Sequence, residues 1–121
     1  MYLVIDEASN DAAVVDPYDA AKISKGAKEE GVNVSRWRHL DRTGADRQVT
    51  TLITTHHHDD HSGGNEKFVC HTDSSVLQKC SRQLSLHSGL KAYGGSHQAP
   101  GTNTLVKEGS TFKIGQDIDV K

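Results

Sequence analysis

The sequence predicts an α/β domain, in which short strands alternate with helices. Apolar runs at 2–5 and 12–15, separated by a polar turn, are typical of a β-hairpin. A run rich in β-branched residues at 49–55 predicts a further strand, and the segment 18–30 between these runs favours a helix. With 121 residues, the chain is long enough for one domain at most.

The other elements are predicted from local signals. Asp16 and Pro17 end the second strand, and we expect Asp16 to cap the helix with Pro17 at its first position. Gly31 is a suitable C-terminal stop for that helix. Beyond residue 60 the sequence predicts a short helix at 63–69, a strand at 90–93 followed by a turn at Gly94 and Gly95, a loop at 96–106, and a hairpin formed by 111–114 and 118–120.

Composition limits the classes of function. The net charge of −2 gives no electrostatic case for binding nucleic acid or an anionic membrane. No apolar run approaches the roughly 20 residues of a membrane span, and the apolar start of the chain is too short for a signal peptide. Cys70 and Cys80 form no CxxC pair, so we expect two free thiols in a reducing compartment.

The most informative stretch is 54–65, with the sequence Thr-Thr-His-His-His-Asp-Asp-His-Ser-Gly-Gly-Asn. Four histidines and two aspartates within six positions indicate metal chemistry, since folding does not require such a cluster. If the chain stays extended, His56 and His58 point to the same side and can bind one metal ion. Asp60 and His61 follow where the chain turns, in position to face a second ion.

Two alternative structures for this stretch are less favourable. The helical metalloprotease pattern HExxH requires Glu after its first His, but residue 58, between His57 and His61, is His. A flexible chelating tract would not follow a β-branched strand and precede a glycine-rich turn.

The pattern Thr-His-His-His-x-Asp-His-x-Gly-Gly-Asn resembles the metallo-β-lactamase superfamily, most closely its glyoxalase II (hydroxyacylglutathione hydrolase) family. The segments 1–6, 13–17 and 89–95 also look like that family, in the same order. The resemblance implies a partial αββα sandwich: its first half, without the strand that the family places before Met1. It therefore implies the N-terminal part of the family's domain.

The resemblance also implies the roles of the motif residues. His56 and His58 would hold the first metal ion, while Asp60, which also takes part in catalysis, and His61 would hold the second. The implied ions are two zinc ions, with iron or manganese as the alternative in one site, and they lower the pKa of a bridging water to about 7. His57 is not expected to be a ligand.

Several neighbouring residues bear on this assignment. Asp59 stands where the family usually has a bulky residue, and its carboxylate can compete with that of Asp60 as a ligand. Gly63 and Gly64 are expected to serve close packing. The remaining histidines are scattered, and we do not expect them to be ligands: His39, His71, His87 and His97.

The implied activity is hydrolysis of a small-molecule glutathione thioester, S-lactoylglutathione, to D-lactate and glutathione in methylglyoxal detoxification. The implied location is the cytoplasm, with the mitochondrion as the alternative. The family's third His on each metal and its bridging Asp have no counterpart before Lys121, and four ligands cannot fill two metal sites. The alternatives are therefore another hydrolase or oxygenase of the superfamily, acting on lactams, nucleic acids or persulfides, and a non-catalytic fragment that binds metal weakly.

Two segments interrupt the family pattern. The segments 35–49 and 70–87 are longer than ordinary connections, and reading across each of them restores the pattern. We interpret both as insertions in an incomplete domain, either translated introns or isoform-specific segments. The arginines and Trp37 of the first are compatible with a nucleic-acid patch, but the acidic balance of the chain favours a solvated loop.

Overall fold

The structure is a computed structural model, and it describes residues 1–33, 47–66, 68 and 90–121. Most of both predicted insertions therefore lies outside the described residues, although 47–49 belong to a strand. The following residues of the sequence predictions also lie outside them: Trp37, His39, Cys70, His71, Cys80 and His87.

A mixed sheet forms the centre of the fold. The elements in chain order are β1 (Tyr2–Ile5), β2 (Asp11–Val15), α1 (Ala20–Glu29), β3 (Val32–Asn33), β4 (Arg47–Thr54), α2 (Asp59–Ser62), β5 (Lys91–Gly94), β6 (Thr104–Leu105), β7 (Phe112–Ile114) and β8 (Ile118–Val120). The sheet order is β1-β2-β4-β5-β6, and β3 pairs with the start of β4. Only β1 and β2 pair in antiparallel fashion within the described part of this sheet. The predicted α/β class is confirmed.

The first hairpin forms as predicted. The amide of Asp6 donates to the carbonyl of Asp11 at 2.8 Å and closes the turn. Asn10 adopts a φ of 62°, a left-handed conformation that Asn tolerates better than most residues. The centre of β2 is fully buried, at Ala12, Ala13 and Val14, because β2 is covered on both faces of the sheet.

Helix α1 covers one face of the sheet. Its buried residues Ala20, Ile23 and Ala27 recur at helical spacing, and they pack with Val14 and Leu52 in the hydrophobic core. The outward face carries the lysines of the helix, which remain exposed. An amphipathic helix of this kind is stabilised mainly by burial of its apolar face.

The predicted start of α1 was wrong. Asp19, not Asp16, is the N-cap, and its side chain accepts a hydrogen bond from the amide of Lys22 at 3.0 Å. Asp16 has a φ of 49°, which places it outside the geometry of a helix N-terminus. Its carboxylate turns instead towards the segment that follows β4.

The hairpin formed by β7 and β8 packs against β2, and its two strands agree with the prediction. Its turn is fixed by Asp6, whose Oδ2 accepts hydrogen bonds at 2.6 Å from the amide of Gln116 and the hydroxyl of Ser9. A Cβ atom at Gly115 would overlap that carboxylate, so the close approach requires glycine. The hairpin is therefore held to the turn between β1 and β2.

Three boundaries differ from the predictions. Gly94 is the last residue of β5 rather than part of a turn, and the predicted loop 96–106 contains β6. The side chain of Asn103 holds β6 in place, because it accepts from the amide of Ala92 in β5 at 2.9 Å and donates to the carbonyl of Leu90 at 2.8 Å. The helix predicted at 63–69 has helical residues at 65, 66 and 68 after a turn at 63 and 64, and the short helix α2 at Asp59–Ser62 was not predicted.

No helix in the described ranges is long and apolar enough to cross a membrane.

Candidate metal centre

The histidine-rich segment lies at one edge of the sheet. Strands β2, β4 and β5 are parallel, so their carboxyl ends meet at the same edge. Val15, the last residue of β2, pairs with Ile53 in β4, and Thr54 pairs with Gly94 in β5. Side chains that follow these strands therefore converge there, as is usual for sites on parallel sheets.

The backbone turns sharply within this segment. His58 remains extended, with φ −67° and ψ 149°, and α2 begins at the next residue. The hydroxyl of Ser62 donates to the carbonyl oxygens of His57 at 2.7 Å and His58 at 3.1 Å. These bonds join the extended part of the motif to its helical part, so the side chains of both parts face one region.

Three donor atoms form a compact group. One ligand atom from each of His56, His58 and Asp60 lies within 4.8 Å of the other two. Two atoms bound to one zinc ion at about 2.0–2.2 Å can be no more than about 4.4 Å apart, so small side-chain rotations bring this group into range. His58 and Asp60 are exposed, so no buried packing opposes such rotations. Two imidazoles and a carboxylate are a donor set that suits zinc.

His61 lies beside this group, and its ring is hydrogen-bonded to Asp16. Its Nδ1 is 2.9 Å from Oδ2 of Asp16, and its Nε2 is 3.6 Å from Oδ2 of Asp60. Since an ionised carboxylate only accepts hydrogen bonds, the contact with Asp16 assigns a proton to Nδ1, and the neutral form of the ring then has its lone pair on Nε2. The ring also lies 3.9 Å from that of His56, measured between centroids. All four predicted ligand residues therefore lie in one cluster.

Asp16 is the site residue that the sequence prediction missed. Its Oδ1 accepts from the amide of Thr55 at 2.8 Å, and its Oδ2 accepts from the Thr55 hydroxyl at 2.8 Å as well as from His61. Burial by itself raises the pKa of Asp16. The hydrogen bonds from His61 and Thr55 lower the pKa by more than burial raises it, so the pKa lies below its usual value. An acidic residue at the end of the strand adjacent to the motif strand was the available signal.

The two glycines after the motif allow close packing, as expected. A Cβ atom at Gly64 would overlap the carbonyl oxygen of Pro17 and lie 2.7 Å from that of Tyr18. A Cβ atom at Gly63 would lie 2.5 Å from the carbonyl oxygen of Asp59. The loop before α1, which includes Asp16, therefore packs directly on the turn that ends the motif.

The remaining candidates lie apart from the three-residue group. His57 and Asp59 are exposed and neither belongs to the group, which favours Asp60 over Asp59 as the ligand. His97 is exposed in the segment after β5 and is also outside the group.

Comparisons with known proteins identify the family of this chain. A sequence model of the Metallo-beta-lactamase superfamily matches residues 2–76, which include the whole motif. A protein of Arabidopsis thaliana described as hydroxyacylglutathione hydrolase cytoplasmic is 33% identical over 120 residues, which cover 98% of this chain. The chain spans 35% of the length of that relative. The family match, together with the histidine cluster at the sheet edge, shows that this chain belongs to the metallo-β-lactamase superfamily.

Proposed function

We propose that this chain carries the metal-binding motif of a metal-dependent thioester hydrolase that acts on a glutathione thioester. The observation that carries the proposal is the group formed by His56, His58 and Asp60, with donor atoms within 4.8 Å of one another. The similarity to a hydroxyacylglutathione hydrolase supports the substrate class. The proposed reaction converts S-lactoylglutathione to D-lactate and glutathione, which is a step in methylglyoxal detoxification.

The proposed ligands are divided between two zinc ions, with iron or manganese as the alternative in one site. His56 and His58 hold the first, and Asp60 and His61 hold the second. The 3.6 Å between Asp60 Oδ2 and His61 Nε2 is consistent with a shared ion, and because Asp60 also lies within 4.8 Å of donor atoms of His56 and His58, its carboxylate is within reach of both proposed ions. Two ligands of one tetrahedral zinc ion are separated by about 3.3–3.5 Å at ordinary bond lengths.

The protein's own groups prepare the site. Asp16 keeps the proton of His61 on Nδ1 and so leaves Nε2 available as a ligand. Thr55 fixes the Asp16 carboxylate through its amide and its hydroxyl. The residues His56, His58, Asp60 and His61 would hold the ions, which when bound would supply hydroxide at neutral pH and polarise the substrate carbonyl. The leaving thiolate has a conjugate acid with a pKa near 8.5, so the site needs no strong general acid.

Location and domain organisation belong to the same proposal. The name of the Arabidopsis relative supports a cytoplasmic location, with the mitochondrion as the alternative. The segments 35–49 and 70–87 are proposed as insertions in an incomplete metallo-β-lactamase domain. No nucleic acid or membrane partner is proposed.

The first test is the metal content of the purified chain after exhaustive dialysis. The wild-type protein should retain zinc, H58A should lose at least half of it, and H57A should retain it, because His57 lies outside the group. Equal losses in both variants would refute the ligand assignment. A wild-type chain that retains no metal would instead favour the non-catalytic fragment.

The second test is hydrolysis of S-lactoylglutathione beside a β-lactam and a persulfide. Turnover of the thioester in preference to the other two substrates is expected. Preference for either alternative would assign the chain to another branch of the superfamily.

A further inference from the structure

Asn65 joins two segments that meet at the metal edge of the sheet. It is fully buried, and its Nδ2 donates to the Thr54 hydroxyl at 2.7 Å and to the Pro100 carbonyl at 3.0 Å. Thr54 is the last residue of β4, two positions before His56. Pro100 belongs to the segment 95–103 between β5 and β6, here called the β5–β6 loop. Because both partners bond the same nitrogen, they are no more than about 6 Å apart.

The orientation of the Asn65 amide is set by Pro100. The Thr54 hydroxyl can donate or accept, so it would tolerate either orientation of the amide. The Pro100 carbonyl can only accept, and it therefore requires the NH2 group. The cost of this orientation is a buried Oδ1 without a hydrogen-bond partner in the described part of the chain. The bond to the loop thus determines how the side chain sits.

The β5–β6 loop has internal structure that this bond can position as a unit. The amide of Ala99 donates to the carbonyl of Ser96 at 3.2 Å, and the amide of Thr102 donates to the carbonyl of Ala99 at 3.3 Å. Asn103 bonds the end of the loop to β5. His97 is exposed on this loop.

We propose that Asn65 is a positioning residue that fixes the β5–β6 loop beside the metal ligands, so that the loop forms one wall of the site. This inference rests on the proposed metal site. It assigns to Asn65 no contact with substrate or metal. Its effect passes through the Pro100 carbonyl to the loop.

The test compares N65A with T54V by amide hydrogen exchange of the full 121-residue chain. In N65A the amides of Ala99 and Thr102 should exchange at least about 10-fold faster, because the loop loses its bond. In T54V, which keeps the Pro100 bond, they should stay within about 3-fold of wild type. If N65A does not fold, N65D, which keeps the side-chain volume, replaces it and is judged by the same criterion. Equal acceleration in both variants, or no greater acceleration in the loop than in β2, would overturn the proposal.

A second measurement places the loop relative to the metal. Co2+ bound to the wild-type chain should broaden the amide resonances of His97 and Gln98, and this broadening should weaken in N65A. If the chain binds Co2+ but the amide resonances of the β5–β6 loop do not broaden, the loop does not form a wall of the metal site. A wild-type chain that binds no Co2+ would refute the metal site itself, and the exchange rates would still decide whether Asn65 holds the loop.

Discussion

Replacement of Asp16 by Asn tests how the site prepares His61. The change keeps the side-chain shape, and Asn tolerates the φ of 49° at this position. The amide oxygen can still accept from the Thr55 amide, and the Thr55 hydroxyl can reverse its direction. In D16N an NH2 group replaces the Oδ2 that accepts from His61 Nδ1. Because NH2 is a donor, the hydrogen bond persists only if Nδ1 carries no proton and accepts. His61 Nδ1 should therefore lose its proton to Nε2.

The magnitude follows from this single reversal. Loss of a hydrogen bond to a charged group costs about 1.5–3 kcal/mol of unfolding free energy, part of which the reversed bond returns. Zinc affinity should fall about 10–100-fold, as it does when the partner behind a ligating imidazole is removed. The unfolding free energy of D16A should be about 1–2 kcal/mol lower than that of D16N, because Ala is strained at a left-handed φ.

The assay is competition for Zn2+ with a chelating dye, together with NMR detection of the His61 tautomer. D19N is the matched control: Asp19 is exposed, and Asn caps a helix as well as Asp does. Its zinc affinity should equal that of wild type. If D16N retains the proton on Nδ1 and binds zinc within about 3-fold of wild type, a gap of about 0.7 kcal/mol, the positioning role of Asp16 is wrong.

Two further predictions concern stability. G64A should lower the unfolding free energy by about 1–3 kcal/mol or more in urea denaturation, because the added Cβ would overlap the Pro17 carbonyl oxygen. G95A is the control and should leave the unfolding free energy unchanged, because nothing lies within 4 Å of its added Cβ. Equal effects of the two substitutions would contradict the packing argument. Hydrogen bonds from Ser9 and then Gln116 lower the pKa of Asp6 to about 2 from 3.8. The unfolded chain therefore binds the proton first on acidification, and the Asp6 contribution to stability should be present above about pH 4 and lost towards about pH 2. Denaturation of D6N across that range should show a shallower decline than wild type, and parallel curves would contradict the assignment.

The sequence alone determined the main strands of the sheet and the candidate donor residues of the motif. Short apolar runs on either side of a polar turn mark β1 and β2, and β-branched residues mark β4, because these patterns reflect which side chains a buried or half-buried strand can hold. The spacing of His56, His58, Asp60 and His61 indicated a metal site because strand alternation and a following turn bring such side chains together. These features depend on residues only a few positions apart.

The tertiary structure decided which distant residues support that motif. Asp16 reaches His61 across 45 positions because β2 lies parallel to β4, with Val15 opposite Ile53. A capping role for Asp16 was equally compatible with its local sequence, and only the folded backbone excludes it. Asn65 likewise meets Pro100 across 35 positions. The proposed ligands are therefore close together in the sequence, whereas the groups that contact them from distant positions are set by strand pairing, which no short stretch of sequence specifies.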